Sequence, residues 1–286
     1  MREAMTSRTV WALLETLFSY FSVSLGFVLQ KKGIGWLSHH GKKDAAFFQN
    51  LALWSIGFIL LNLAVLPNYL ALRVLNAYIV NAVSGLNIVF MVFLSGLVLK
   101  EKIHPLDYLY TLVMCLSIAL INLADRSGAA VLTVRAGYAF GALSVPLGIF
   151  ILWFLFQKRP FFKKNLSLQA ILLAASGGGM SGLMVTYLKI LQMKEGGRIL
   201  AYLSSPYLYC FFTVSILSLV AVQYAYRMGA MILVGPAQFA TMVFYPVLAS
   251  YFIFAIPVNL TQVFCFALII VTVFLMVHRH HQSGTE

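Results

Sequence analysis

The chain has 286 residues, 61% of them hydrophobic and 10% charged, with a mean hydropathy of +0.90. Soluble domains carry about 25% charged residues, so this composition excludes a soluble globular protein. The net charge of +12 invites a nucleic-acid partner, but the basic residues cluster beside the ends of apolar stretches, the pattern of the positive-inside rule.

Nine apolar stretches follow one another: Val10–Gln30, Phe47–Leu66, Asn76–Leu99, Leu106–Leu123, Tyr138–Phe156, Leu166–Leu188, Tyr207–Tyr226, Met231–Ile256 and Leu260–Val277. A run of about 18 or more apolar residues matches the roughly 30 Å hydrocarbon core of a bilayer. The runs are long and lack the regular turn signals of barrel strands. The expected fold is therefore an all-α membrane protein with nine transmembrane helices. The longest connections, about Lys31–Ala46, Asp125–Ala136 and Gln157–Asn165, are too short for a soluble domain of about 50 residues. Residues 1–286 read as one polytopic domain. Arg2 and Arg8 precede the first run, which has no small-residue cleavage site, so it reads as a retained helix.

The first span carries Glu15, the one acidic residue within a span, followed by Ser19, Ser22, Ser24 and Gly26. An intramembrane carboxylate is a candidate proton or cation site; its depth of about a turn and a half also suits an interfacial residue. Asn62, Asn68, Asn76, Asn81 and Asn87 punctuate the second and third spans. Each suits interhelical glue worth about 1 kcal/mol, and together they suit a polar cavity wall, with Asn81 and Ser84 three apart on one face. The sixth span holds Ser176-Gly177-Gly178-Gly179-Met180-Ser181-Gly182. Its small-x-x-x-small pairs suit close helix packing; the alternative is a broken helix lining a pathway. Gln223, Gln238 and Tyr245 supply polar groups in the second half. The expected solute pathway comprises Glu15, Ser22, Asn81, Ser84, Gly178, Ser181, Gln223, Gln238 and Tyr245.

Cys115, Cys210 and Cys265 lie within apolar spans without C-x-x-C spacing, which argues against a disulfide framework or a zinc site. His278, His280 and His281 read as a basic tail against anionic headgroups. Nine spans gather Lys31, Lys32, Lys42, Lys43, Lys100, Lys102, Lys158, Arg159, Lys163, Lys164, Arg227 and Arg279 on one side, against eight basic residues on the other. The richer side is placed in the cytoplasm, with the N-terminus outside and the C-terminus inside. Short tails favour a cell (plasma or inner) membrane.

Shifted by 154 residues, the chain weakly matches itself: Ala71-Leu72-Arg73 falls on Ala225-Tyr226-Arg227, Val80 on Val234 and Leu94 on Leu248. The shift carries the second span onto the seventh. Five is an odd number of helices, so the copies run in opposite directions, as in many secondary transporters. The first repeat covers about residues 10–124 and the second about 138–278.

Ala71-Leu72-Arg73, with the later Leu99-Lys100-Glu101-Lys102, resembles the "AL…LxEK" pattern of EamA-like repeats in the drug/metabolite transporter superfamily. Within it, Ser24–Gly33, ending Gln30-Lys31-Lys32-Gly33, is similar to the first-helix signature of the NIPA-like magnesium transporter branch. Ser176–Lys189, Gln223-Tyr224 and Pro236–Phe239 resemble its second half. The resemblance implies a carrier with two inverted repeats around a central cavity. It does not extend to two acidic positions: Val65 stands at one, and Phe252–Pro257 contains no carboxylate. Mg²⁺ is held by oxygen ligands, usually one or two carboxylates among them.

The function expected is a secondary transporter for a small organic solute, metabolite or drug-like, working by alternating access. A divalent-cation transporter of the NIPA-like type is the first alternative and a non-transporting membrane scaffold another. An enzyme is not expected, since H-E-x-x-H, G-x-S-x-G and P-loop motifs are missing from the sequence. No catalytic residue, cofactor or resident metal is expected. The partners are the small-molecule solute and the lipid bilayer, not nucleic acid, with a homodimer as the alternative to a monomer.

Overall fold

The computed structural model describes residues 2–38, 45–71, 74–75, 77–124, 133–160, 162, 165–195 and 199–283. The named elements among these residues are all helical. They are α1 (Arg2–Gly33), a 3₁₀ turn (Ile34–Ser38), α2 (Ala45–Leu63), α3 (Val65–Ala71), α4 (Ala77–Val83), α5 (Leu86–Leu99), α6 (Pro105–Leu123), α7 (Ala136–Gly141), α8 (Ser144–Phe156), α9 (Leu166–Glu195), α10 (Ile199–Tyr202), α11 (Pro206–Met228), α12 (Met231–Phe254) and α13 (Leu260–Ser283).

Among the described residues, eight helical stretches are long and apolar enough to cross a bilayer: Ser7–Trp36, Ala45–Ala71, Pro105–Leu123, Ala136–Phe156, Leu166–Glu195, Pro206–Met228, Met231–Phe254 and Leu260–His280. Their outward faces stay apolar, with Phe18, Phe154, Ile216 and Phe274 each 62–66% exposed. In water so many exposed aromatic and aliphatic faces would drive aggregation; in a bilayer they meet lipid. The chain is an all-α, multi-pass membrane protein.

The third expected span, Asn76–Leu99, corrects to two helices. α4 ends at Val83 and α5 begins at Leu86, joined by turn bonds from Asn87 N to Ser84 O (3.0 Å) and from Ile88 N to Gly85 O (3.1 Å). The break falls where the backbone touches α6: a Cβ on Gly85 would lie 2.6 Å from the Cys115 carbonyl oxygen. Asn76 and the Asn81 side chain lie outside the described residues.

The chain divides into two compact units. The first comprises Met1–Arg126, Ala230–Gly235 and Thr261–Glu286, and the second Ser127–Gly229 and Pro236–Leu260. In the first, α1 is a central post. Ser19 Oγ donates to Ala64 O (2.7 Å), Tyr20 OH to Val80 O (2.9 Å) and Ser24 Oγ to Asn87 O (2.9 Å). At Gly26, a Cβ would lie 2.7 Å from Gly57 O on α2. The hydroxyls tie α1 to the backbones of its neighbours, and Gly26 lets α2 approach it closely.

Two helices end alike. Lys100 after α5 has φ 57° and Ala255 after α12 has φ 56°, the two positive-φ non-glycine residues among those described. Each is followed by a short non-helical stretch and then by α6 or α13. A left-handed residue costs about 1–2 kcal/mol without glycine, so both ends are held by their surroundings.

Candidate functional site

In the second unit the post is α9. The run Ser176–Gly182 stays within one unbroken helix, so the packing alternative describes it and the helix break does not. Its residues turn about 100° each and serve three neighbours in succession. Ser176 Oγ donates to Pro146 O on α8 (2.7 Å). Gly177 meets α11, where Ser218 Oγ donates to Gly177 O (2.8 Å), and Ser181 and Ser218 share a bond of 2.6 Å. Gly178 and Gly182 lie against α12: a Cβ on Gly178 would run into the Gln238 carbonyl oxygen, and one on Gly182 would lie 2.5 Å from Met242 O. Met242 O is the carbonyl four residues before Pro246, which has no N–H to bond it. The close approach of α9 to α12 at Gly182 therefore falls at a proline site in α12.

Gly179 differs. A Cβ there would find Pro146 Cβ and Tyr245 Cγ at 3.5 Å, an ordinary contact. It borders a cavity of about 550 Å³ among α7, α8, α9 and α12, within the 300–1,000 Å³ typical of small-molecule sites. Four aromatic rings line it, Tyr138, Phe244, Tyr245 and Phe252, and none of its lining residues is charged. Its polar side chains are mostly engaged. Thr241 Oγ1 donates to Ala237 O (2.9 Å) and Gln238 O (3.0 Å), and Tyr245 OH to Ala142 O (2.5 Å). Tyr138 stacks on Phe252 with centroids 6.1 Å apart. Neither a protein-family model, nor a curated protein, nor a solved structure matches the chain. The site therefore stands on its own geometry.

Of the nine residues expected along a pathway, Tyr245 lines this cavity. Gly178 and Ser181 face α12 and α11 as described, and Gln238 is buried, its Oε1 accepting from Tyr226 OH (2.8 Å). Gln223 is buried on α11. Glu15 and Ser22 lie on α1 in the first unit, half-buried and buried respectively, and Ser84 sits half-buried at the α4–α5 break. The Asn81 side chain is outside the described residues. Sequence reasoning did not single out Tyr138, Gly141, Pro146, Phe244 or Phe252. In an apolar span an aromatic is a common neighbour, so composition gives it no mark; Pro146, inside a span, was the available signal.

Two charged clusters in the first unit also escaped a role. The Glu101 carboxylate accepts from Met231 N (2.8 Å) and Ile232 N (3.0 Å), capping the start of α12, while Lys31 Nζ lies 3.8 Å from Oε1. A carboxylate at a helix N-terminus satisfies amides that have no helical partner and opposes the positive end of the helix dipole. Asp107, fully buried, is bonded by Arg279 Nη2 and accepts from His104 N (2.9 Å), with His280 Nε2 at 3.5 Å. It joins the start of α6 to the end of α13.

Proposed function

We propose that the chain is a secondary transporter that moves a small organic solute across a cell membrane by alternating access. The observation that carries the reading is the charge-free cavity of about 550 Å³ bordered by four helices of the second unit. The nearby prolines Pro236 and Pro246 interrupt the hydrogen-bond ladder of α12, as discontinuous helices do beside many carrier sites. Of the described carboxylates, Glu101 and Asp107 are engaged with backbone amides and basic side chains, and none lines the cavity. That commitment favours an organic solute over a divalent cation, which takes several oxygen ligands.

Nine crossings in two inverted repeats form the second part of the proposal. Glu101, at the end of the third apolar stretch, touches Lys31, at the end of the first, and Met231, at the start of the eighth. Asp107 opens the fourth and touches Arg279, near the end of the ninth. Ends that touch share a membrane face. Nine crossings in alternation put all five of these ends on one face; if α4–α5 turned back without crossing, Lys31 and Glu101 would lie on opposite faces. Residues Ala77–Leu99 number 23, about 34 Å of helix at 1.5 Å per residue. The matched endings at Lys100 and Ala255, and the presence of one post helix in each half, α1 and α9, support the repeat. The shared face carries the larger basic set, which favours the cytoplasm.

Counterflow of labelled metabolites in proteoliposomes tests the carrier. Saturable exchange that depends on the protein is expected; its absence across a broad panel of neutral and charged organic solutes would refute transport. For topology, a cysteine at Lys158 should react only from the cytoplasm and one at Arg135 only from outside. Labelling of both from the same side would overturn the alternation.

A further inference from the structure

Resting on the carrier reading for its place in a transport cycle, but not for its chemistry, we infer that the second-unit cavity binds an uncharged solute with an aromatic ring. Four aromatic side chains converge on the cavity from two elements, Tyr138 from α7 and Phe244, Tyr245 and Phe252 from α12, and Pro146 of α8 and Gly179 of α9 complete the lining. Aromatic walls favour planar rings by offset or edge-to-face contact, worth about 0.5–1.5 kcal/mol per pair beyond burial. A charged solute would find no lining side chain of opposite sign, and a buried unpaired charge is heavily penalised. Polar recognition is narrow as well. Thr241 and Tyr245 donate their hydroxyl protons to backbone carbonyls. Tyr138 is the lining hydroxyl without a hydrogen-bond partner among the described residues, which leaves room for one polar substituent on the ring.

Two glycines set the size of the solute. At Gly141 a Cβ would have nothing within 4 Å, and at Gly179 it would reach only ordinary contact with Pro146 and Tyr245. Side chains at these positions would occupy solute space instead of colliding with a neighbouring helix. Gly178 and Gly182, one residue before and three after Gly179, have no such freedom. A run that reads in sequence as one packing motif therefore contains one position that belongs to the cavity.

The test is photolabelling of the full chain in phosphatidylcholine nanodiscs with 3-trifluoromethyl-3-phenyldiazirine, a neutral ring, beside its ring-carboxylate analogue. Adducts of the neutral probe should map to peptides carrying Tyr138–Ile149 and Thr241–Phe252, saturate, and fall at least tenfold under excess benzyl alcohol. The carboxylate should label these peptides at least tenfold less. Gly141→Leu and Gly179→Val should each reduce neutral labelling at least tenfold, Gly179→Ala about two- to threefold, and Leu188→Phe, at an exposed position outside the cavity, not at all. Monodispersity on size exclusion checks that each variant folds, and Gly179→Ala keeps the test open should the larger replacement fail. Equal labelling by the two probes, or undiminished labelling in folded Gly141→Leu and Gly179→Ala, overturns the inference. So does occupancy of the same peptides by an acyl-chain diazirine lipid that benzyl alcohol does not displace. Ring binding without counterflow would remove the carrier and leave the site; counterflow of a charged solute untouched by Gly141→Leu would remove the site and leave the carrier.

Discussion

Replacing Glu101 by glutamine tests whether the start of α12 is held by charge or merely by shape. The carboxylate accepts two backbone N–H groups, at 2.8 and 3.0 Å, and its side chain is 15% exposed. Glutamine keeps one accepting oxygen but turns an NH₂ toward the other backbone N–H, so one bond is lost and replaced by two facing donors. A hydrogen bond to a charged group contributes about 1.5–3 kcal/mol, and the helix-dipole interaction about 0.3–1 kcal/mol. The expected loss is about 2–3 kcal/mol, or a fall of roughly 5 °C in apparent melting temperature at about 2 °C per kcal/mol for a chain of this size. Lys31→Met should cost less, about 0.5–1 kcal/mol, because its ammonium sits 3.8 Å away and leaves the two amide bonds in place. The assay is thermal unfolding of purified protein followed by thiol-reactive fluorescence of the buried Cys115 and Cys265. A Glu101→Gln protein within 1 °C of the parent, or a Lys31→Met protein equally damaged, would refute the capping argument.

Three further outcomes are expected. Asp107→Asn should destabilise by about 3 kcal/mol, because Arg279 loses a buried partner, and Asp107→Asn with Arg279→Met should recover part of that loss in the same melting assay. Gly178→Leu should abolish a monodisperse fold, whereas Gly179→Ala should melt within about 2 °C of the parent, since one replacement meets backbone and the other open contact. Glu15→Gln removes the carboxylate of α1 while keeping its size; it should preserve solute exchange in proteoliposomes and abolish accumulation driven by a proton gradient, and unchanged uphill transport would leave Glu15 as an interfacial residue.

The membrane class and most helix positions were legible in the sequence because a bilayer demands length and apolarity, and both are one-dimensional properties. The break at Ser84-Gly85 was not: it depends on Cys115 of another helix coming to 2.6 Å of a missing Cβ, a contact that hydropathy does not record. The Ser176–Gly182 run announced close packing, but which residue met which helix required the phase of α9 relative to α8, α11 and α12. The polar residues expected in a pathway were chosen because polar groups are rare in spans. Ser181 and Gln238 answer that rarity with partners on another helix, Ser218 and Tyr226 of α11. Apart from Tyr245, the cavity is lined mainly by residues common in any span. Glu101 and Asp107 were visible as span-end acids, yet their partners lie 130 and 172 residues away.

Those separations bear on how the protein is made. The first unit draws on Met1–Arg126 but also on Ala230–Gly235 and Thr261–Glu286, so a ribosome that has finished α6 has supplied only part of it. Until Met231 and Arg279 are synthesised, Glu101 has no helix start to cap and the buried Asp107 has no guanidinium. A nascent chain paused after α9 or α11 thus presents two carboxylates at the membrane face that must remain hydrated or be sheltered by the insertion machinery. The first unit to enter the bilayer is the last to be completed.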